Sequence, residues 1–594
     1  MPFRSIKMTI NQETAQLLKR VAAVLRVKEG DTFRYKAYVN AAVAIDNLSD
    51  SIFEVWKRGE LDTIPGLGES LSRYLNEYFS TGRVRHFESL FKKVPSGMFP
   101  LMTIRGIGPI TAYKISKKFH LNDPEKTLTE LKEILISEKL TKIQGFKEKT
   151  ISKIKKALDI QSFGKGRLPL YEALPVAEDF INYLLKSKAV SKAEPLGSLR
   201  RKLATVGDID IAICSSKPKE AMNHALSYPQ ISSVVTTGDK VSHVKMTNGL
   251  EVDLKISLPN SWGSILQHYT GGKLHNIHLR SLAKEKGLSL SEYGITQNGK
   301  LNRFTSEAKF YQFIGLEYIP PEIRENTGEI ELAIKHQIPT LLEIKDIKGD
   351  LHTHSDFSFQ SSHDIGISPL SQLLNTATKN DYEYIGISDH NPKFQGLTEK
   401  QKIAIILNRK KYLLSQYRTY EKDVKSRVPK LLIGMEVDIR PDGSLALSDK
   451  AMESLDYVIA SIHGSFDLTE EANTRRIQKA LSHPKVKILG HPTNRTINGR
   501  EPISANWEKI FTYCAQNKKI IEINASPNRL DLPDDLIKQA LTKKVKLIIN
   551  TDSHEVSQME NMKYGVWQAR RGYAQKSDII NTLPFKDLRL VLEL

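Results

Sequence analysis

Cysteine is nearly absent from this chain of 594 residues: Cys214 and Cys514 are its only two, and they stand far apart. Two such thiols cannot build a disulfide framework, which excludes the stapled secreted class and fits a reducing compartment. Long apolar runs are missing too, since no stretch reaches the roughly twenty residues that a bilayer span needs. The opening MPFRSIKMTINQET contains no apolar leader region, so a cytoplasmic protein with no membrane partner is expected. Acidic residues fall short of basic ones, 68 Asp and Glu against 87 Lys and Arg, giving a formal charge of +19 and a pI near 9.4. That excess is large for an enzyme of small anions and points to a polyanion partner. Apolar residues are in ordinary supply at 40%, ample for several cores in a chain of this length.

Histidines and carboxylates recur late in the chain, in pairs and after short apolar runs. His352 and His354 lie in GDLHTHS, and Asp552 and His554 in NTDSH. Alternate residues of a strand share a face, so each pair can aim two ligands at one point. His390 follows YIGIS, Glu436 follows KLLIG, His463 follows YVIAS and His491 follows VKILG. Parallel strands of a barrel present chemistry at their C-terminal rim in this way. Imidazole and carboxylate ligands there suit two or three borderline divalent ions such as Mn²⁺, Zn²⁺ or Fe²⁺.

The first third gives the basic charge a use. IPGLG at 64–68 and IRGIG at 104–108 are hydrophobic-Gly-hydrophobic-Gly turns followed by helical runs, a helix-hairpin-helix pattern, with a degenerate third at 144–147 (QGFK). Gly66, Gly68, Gly106 and Gly108 let the backbone approach a phosphate, and amides at the next helix start bind it without reading bases. Lys114, Lys117 and Lys118 are candidates to line the groove. Apolar steps of three and four in LLKRVAAVLRV and ISKIKKALDI predict helices for the rest of this region.

A second carboxylate set lies mid-chain. GSLRRKLATVGDIDIAI puts Asp208 and Asp210 on one face of a strand, and GLEVDLKI puts Asp253 on a strand expected beside it. Three carboxylates on one edge repel each other unless divalent cations hold them, which is the two-metal arrangement for phosphoryl transfer. Gly197, Ser198 and Arg201 precede them, a small turn with a hydroxyl and a guanidinium able to clamp a triphosphate.

GSxRR, GDID and the third Asp resemble the family X DNA polymerases, and the late histidine set, with GHPTNR and IEINASPNRLDLP, resembles the polymerase and histidinol phosphatase (PHP) family. The chain as a whole resembles the bacterial and archaeal members that fuse both. The resemblance implies a multidomain protein: a helical helix-hairpin-helix region, an α+β nucleotidyltransferase palm with a thumb, and a C-terminal α/β distorted (β/α)₇ PHP barrel. Boundaries are expected at 1–90 for a DNA-end-binding domain, 91–165 for a fingers-like part, 166–262 for the palm, 263–325 for the thumb, 326–345 for a partly ordered linker and 346–594 for the barrel.

By the same resemblance Asp208, Asp210 and Asp253 hold Mg²⁺ or Mn²⁺. Gly197, Ser198, Arg201 and Gly207 grip a dNTP; His268, Tyr269 and Gly271 lie by its sugar; Asn276 reaches the base; and Arg280 touches the template. His268 stands where an aromatic is more usual. The barrel ligands are His352, His354, His390, Glu436, His463, His491, Asp552 and His554, with one more carboxylate. The family's SDG triplet is interrupted here because Phe359 follows Ser358, and counting back from His390 favours Asp364 over its competitor Asp356. The position where some members carry a Schiff-base lysine is Tyr74, which has no amine and argues against lyase chemistry by that route.

The expectation is a monomeric, nucleoid-associated repair enzyme on gapped or nicked DNA and primer-template ends. It fills short gaps, as in base excision repair, and hydrolyses 3′ ends or abasic sites through the PHP barrel. The alternative is a histidinol-phosphatase-type enzyme of small molecules with a DNA-binding, polymerase-inactive front end.

Overall fold

The computed structural model describes residues 10–28, 32–46, 48, 51–64, 66–102, 107–124, 126–136, 140, 167–393, 396–424 and 427–594. Gly106, the degenerate turn at 144–147 and the ISKIKKALDI run lie outside them. The chain divides into two units, Met1–Gly166 and Arg167–Leu594.

Apolar residues at helical spacing drive the first unit. Leu18, Val21, Ala22 and Leu25 of helix Ile10–Lys28 are fully buried against Ala41, Ala42 and Ile45 of helix Thr32–Asp46. In IPGLG, Ile64 and Leu67 are buried while Gly66 turns the chain at φ 88° and Gly68 caps helix Glu69–Thr81. A positive φ of this size favours glycine strongly. Gly108 likewise caps helix Pro109–Lys118, with Pro109 in the first turn, where its missing N–H costs nothing. Lys114, Lys117 and Lys118 are exposed on that helix.

The second unit begins with a two-residue pairing of β1 (Leu168–Pro169) with β3 (Thr205–Val206). The palm sheet has the order β2-β4-β7-β6-β5, from Lys192–Pro195, Ile209–Cys214, Glu251–Ser257, Val241–Met246 and Ile231–Thr237. Central β4 and β7 run parallel and the other neighbours antiparallel. Ile209, Ile211 and Ile213 alternate into a core with helices Leu170–Leu184 and Pro218–Leu226, while Ala212 and Cys214 face helix Trp262–Thr270 on the other side. The thumb adds the meander β8-β9-β10 (Leu288–Ser291, Gly294–Gln297, Lys300–Asn302).

The segment expected to be a partly ordered linker contains a helix, Glu329–Ile334. Ile330 and Ala333 complete the thumb core, and fully buried Glu329 pairs with His275 at 2.7 Å. Its prolines and charges interrupt the apolar period, but two apolar residues and one satisfied carboxylate suffice to dock it.

Parallel strands β11 (Gly349–Thr353), β12 (Tyr384–Ile387) and β13 (Lys430–Ile433) form one sheet; β14 (Met435–Asp438), β15 (Val458–Ser461), β16 (Val486–Leu489), β17 (Ile520–Asn524) and β18 (Leu547–Asn550) form another. Gly434 alone separates β13 from β14, so these segments amount to seven strand passes. Parallel bridges His390↔Glu436 and Thr353↔Ser553 close the ring. This is a distorted barrel of seven strands with helices outside, as the motif order implies. Its outer helix Met562–Arg571 and nearby loop reach the palm, where Leu530 and Tyr564 join the palm core. No helix among the described residues is long and apolar enough to cross a membrane.

Candidate active sites

At the palm edge, pairing of β4 with β7 sets Asp210 directly opposite Asp253, and Asp208 precedes β4 by one residue. The parallel register therefore brings the three carboxylates to one place. Asp208 stays exposed at the sheet edge, yet its carboxyl is raised to about 6, first by loss of surrounding water and then by the charges of Asp210 and Asp253. Lys255, almost fully buried, places Nζ 2.5 Å from Asp210 Oδ1 and 3.4 Å from Asp253 Oδ2. His243 on β6 bonds Asp253 at 2.5 Å and is raised to about 9 by that bond. Carboxylates that draw a lysine and a charged imidazole between them are oxygen ligands in need of positive charge, which fits divalent cations.

The flanking turn is tight. Gly197 has φ 55°, and a Cβ on it would stand 3.1 Å from Asp210 Oδ2. Ser198 accepts the Leu203 amide through its carbonyl within this turn. Arg201 donates to the Thr270 carbonyl and to Glu325, and a Cβ on Gly271 would meet its Nη1 at 3.1 Å. Gly207 faces Arg167, whose Nη1 would stand 3.1 Å from an added Cβ and whose other nitrogens bond Thr205. Arg167 is a cation of this pocket that sequence reasoning missed; its place beside Gly207 arises only from the short β1–β3 pairing. Asn276 donates to the His268 carbonyl at 2.8 Å and accepts from Gln267. His268 is lowered to about 4 by burial and then by Arg280 and Lys255, so its imidazole is neutral at pH 7. Tyr269 sits under Lys255 Nζ, 4.9 Å from the ring centre.

In the first unit, Tyr74 stacks on His86 with ring centres 5.1 Å apart and packs on Phe87, which accounts for an aromatic at that position.

At the barrel rim, fully buried Glu436 is the hub. Its oxygens lie 3.1 Å from His352 Nε2, 3.0 Å from His390 Nδ1, 3.3 Å from His463 Nε2 and 2.8 Å from His491 Nε2. Asp552 lies 3.2 Å from His354 Nε2 and 3.5 Å from His352 Nε2. Four overlapping clusters result among the described residues: His352, His354, Glu436 and Asp552; His390, Glu436 and His463; His354, His390 and His554; and His363, Asp438 and His463. Asp364 reaches the third, 3.7 Å from His390 Nε2 and 3.5 Å from His554 Nε2, whereas Asp356 faces the Tyr412 hydroxyl.

Buried atoms that make no hydrogen bond include His352 Nε2, His390 Nδ1, Glu436 Oε2 and His554 Nε2. His352 Nε2 and His390 Nδ1 crowd against Glu436 Oε2 without hydrogen-bond geometry, and buried ligand atoms gathered in this way fit a metal centre. Asp552 and His491 hold φ 55° and 24°, a strained backbone of the kind found at functional sites.

Supporting carboxylates escaped sequence reading. Glu522 bonds His352 Nδ1 at 2.7 Å and accepts the His491 amide and the Asn550 amide group. Asp438 accepts from His463 Nδ1 at 2.7 Å and from His363 Nε2 at 3.0 Å. Such partners fix the ring so that its other nitrogen faces a metal. Asp389, the residue before His390, bonds buried Arg409 and Ser355. A cavity of about 610 Å³ opens over the clusters, lined by His363, Asp364, Asn528 and Arg529. Arg529 lines the cavity, with Nε 3.9 Å from Asp552 and Nη1 without a hydrogen-bond partner among the described residues, so a cation stands beside any anion entering it.

Three family models match the chain: helix-hairpin-helix domain over residues 9–84, DNA polymerase beta thumb over 265–325 and PHP domain over 350–526. The chain is 32% identical over 589 residues to the DNA polymerase/3′-5′ exonuclease PolX of Bacillus subtilis, covering 98% of this chain and 99% of that one. It is 24% identical over 353 residues to DNA polymerase lambda of Arabidopsis thaliana, 53% of this chain and 62% of that one. A probable phosphatase of Clostridium acetobutylicum is 32% identical over 217 residues, 34% of this chain and 78% of that protein.

Proposed function

Because the chain belongs to the family X DNA polymerases that carry a C-terminal PHP domain, we propose that it extends primers at the palm and removes 3′ nucleotides at the barrel, acting on gapped or nicked DNA in repair. The observation that carries this reading is the coexistence of both sites in one unit, with Asp210 opposite Asp253 and Glu436 among four imidazoles.

In the palm, Asp208, Asp210 and Asp253 would hold Mg²⁺ or Mn²⁺, which would supply charge stabilisation for the displaced pyrophosphate and for the primer oxygen. Arg201, Arg167 and the Gly197–Ser198 turn bind and orient the triphosphate of the dNTP. His268 and Tyr269 bound the sugar site, and Asn276 reads the base; its side chain is held by Gln267 and the His268 carbonyl, which supports that role. In the first unit, the turns at Gly66–Gly68 and Gly106–Gly108 grip phosphates with backbone amides, and Arg280 contacts the template in the second.

In the barrel, His352, His354, His390, Glu436, His463, His491, Asp552, His554 and Asp364 would hold two or three ions of Mn²⁺, Zn²⁺ or Fe²⁺, which would supply Lewis-acid activation for phosphodiester hydrolysis. Arg529 orients the scissile phosphate. Likeness of the barrel to a probable phosphatase supports a second activity on 3′ phosphates. One assay tests the whole reading: a 5′-labelled primer at a one-nucleotide gap, with Mn²⁺, lengthens with dNTPs and shortens without them, and a 3′-phosphate primer becomes extendable. No extension and no shortening, beside hydrolysis of small phosphomonoesters, would favour the small-molecule phosphatase instead.

A further inference from the structure

A chain of alternating charges runs from the triphosphate turn of the palm into the outer face of the barrel. Arg201 donates from Nε to Glu325 Oε1 at 2.9 Å. The same oxygen lies 3.2 Å from Nη1 of Arg571, the last residue of barrel helix Met562–Arg571. Arg571 Nη1 also donates to the Arg201 carbonyl at 3.0 Å and the Glu322 carbonyl at 3.2 Å, while Nη2 pairs with Asp534 at 2.5 Å. The Arg201 and Arg571 side chains are only 12% and 7% exposed, so these bonds form where water screens them little. Glu325 also closes on the turn that carries Gly271: a Cβ on Gly272 would stand 3.2 Å from Glu325 Oε2.

The Arg201 guanidinium bonds only the Thr270 carbonyl and Glu325 among the described residues, so Glu325 is the carboxylate that competes with a triphosphate for it. A carboxylate oxygen already shared with a second guanidinium is a weaker competitor. Arg571 draws on that oxygen and is itself anchored by Asp534 and two backbone carbonyls, so its position is fixed by the barrel.

We propose that Arg571, a barrel residue outside the hydrolytic site, is a positioning residue for nucleotide addition, neutralising Glu325 so that Arg201 stays available to the incoming triphosphate. The proposal rests on the reading of Arg201 as a triphosphate ligand. Removing Arg571 leaves Glu325 to hold Arg201 alone and withdraws it from the nucleotide; removing the Glu325 charge as well releases it again. Loss of interface packing alone would produce the opposite of that rescue, since the second substitution deletes a further contact.

The test is steady-state single-nucleotide gap filling by the full-length enzyme. Arg571→Ala raises the dNTP KM roughly tenfold, the scale of one partly buried charge contact, with kcat within about twofold and primer shortening unchanged. Arg571→Lys recovers part of the loss, and the double variant Arg571→Ala with Glu325→Gln returns KM to within about twofold of wild type. Arg570→Ala, which removes the neighbouring contact to Glu322, leaves KM unchanged. An unchanged KM in Arg571→Ala, or a double variant worse than the single, overturns the proposal. Should Arg571→Ala fail to fold, Glu325→Gln alone decides, because its KM must equal or fall below wild type and a raised value refutes the competition. Arg201→Ala separates the two readings: an unchanged KM there sinks the triphosphate clamp itself, whereas a raised KM beside a normal Arg571→Ala sinks only the relay.

Discussion

Replacing Glu436 by Gln changes one oxygen for a nitrogen, keeps the side-chain volume, and deletes the charge at the hub of the barrel site. Its carboxylate lies within 3.3 Å of four imidazole nitrogens, from His352, His390, His463 and His491, and it belongs to two of the four overlapping clusters of candidate ligands at the barrel rim. A carboxamide offers a neutral oxygen on one side and donors on the other, so two ion positions lose their shared anionic ligand at once. Losing a charge-stabilising metal ligand costs several kcal/mol in the transition state; at about 1.4 kcal/mol per decade, about 4 kcal/mol corresponds to roughly a thousandfold in rate. The assay is Mn²⁺-dependent shortening of a 5′-labelled primer, read beside metal content per chain and beside dNTP addition as an internal control. Expected are hydrolysis down by that factor, at least one ion lost and extension near wild type. Shortening within about tenfold of wild type with full metal content would refute the hub assignment. Loss of both activities together would show that the variant had disturbed the fold.

What could be read from sequence depended on periodicity. Asp208 and Asp210 announce themselves by the two-residue period of a strand, and the barrel histidines by their place after short apolar runs. The register of Asp210 with Asp253 and the closing of the ring through His390 and Glu436 gave those separate readings one geometry each. Residues whose roles come from packing left no such signal. Glu522 lies inside β17 and reads as a polar interruption of IIEIN until β11 brings His352 against it. Arg167 precedes a two-residue strand, too short for any period, and Arg571 looks like one more basic helix end. His363 and Asp364 follow the interrupted triplet, where counting could propose Asp364 but not the contact of His363 with Asp438. The linker was misjudged for a related reason: three buried side chains dock a six-residue helix without an amphipathic period long enough to notice.

In the palm, Asp208→Ala or Asp253→Ala abolishes primer extension, a loss of roughly a thousandfold or more, and spares Mn²⁺-dependent shortening, because the two sites share no ligand; extension near the wild-type rate would discard the palm assignment. Asp208 also sets a pH dependence in the chelated protein. Its folded pKa of about 6 exceeds the ordinary 3.8, so the folded state binds more protons between those values and stability falls as pH rises through that window. Asp208→Asn therefore raises the melting temperature in EDTA at pH 7 by more than at pH 4, and an equal shift at both would remove the charge-crowding account. The last prediction concerns the candidate ligand after the interrupted triplet. Asp364, although exposed, lies within 3.7 Å of His390 and His554, while Asp356 faces Tyr412. A methyl group cannot replace a carboxylate bound to an ion, whereas an outlying contact to a tyrosine is worth on the order of half a kcal/mol. Asp364→Ala thus loses one ion per chain and most primer shortening, and Asp356→Ala changes neither; the reverse pattern in metal analysis and shortening assays would transfer the role to Asp356.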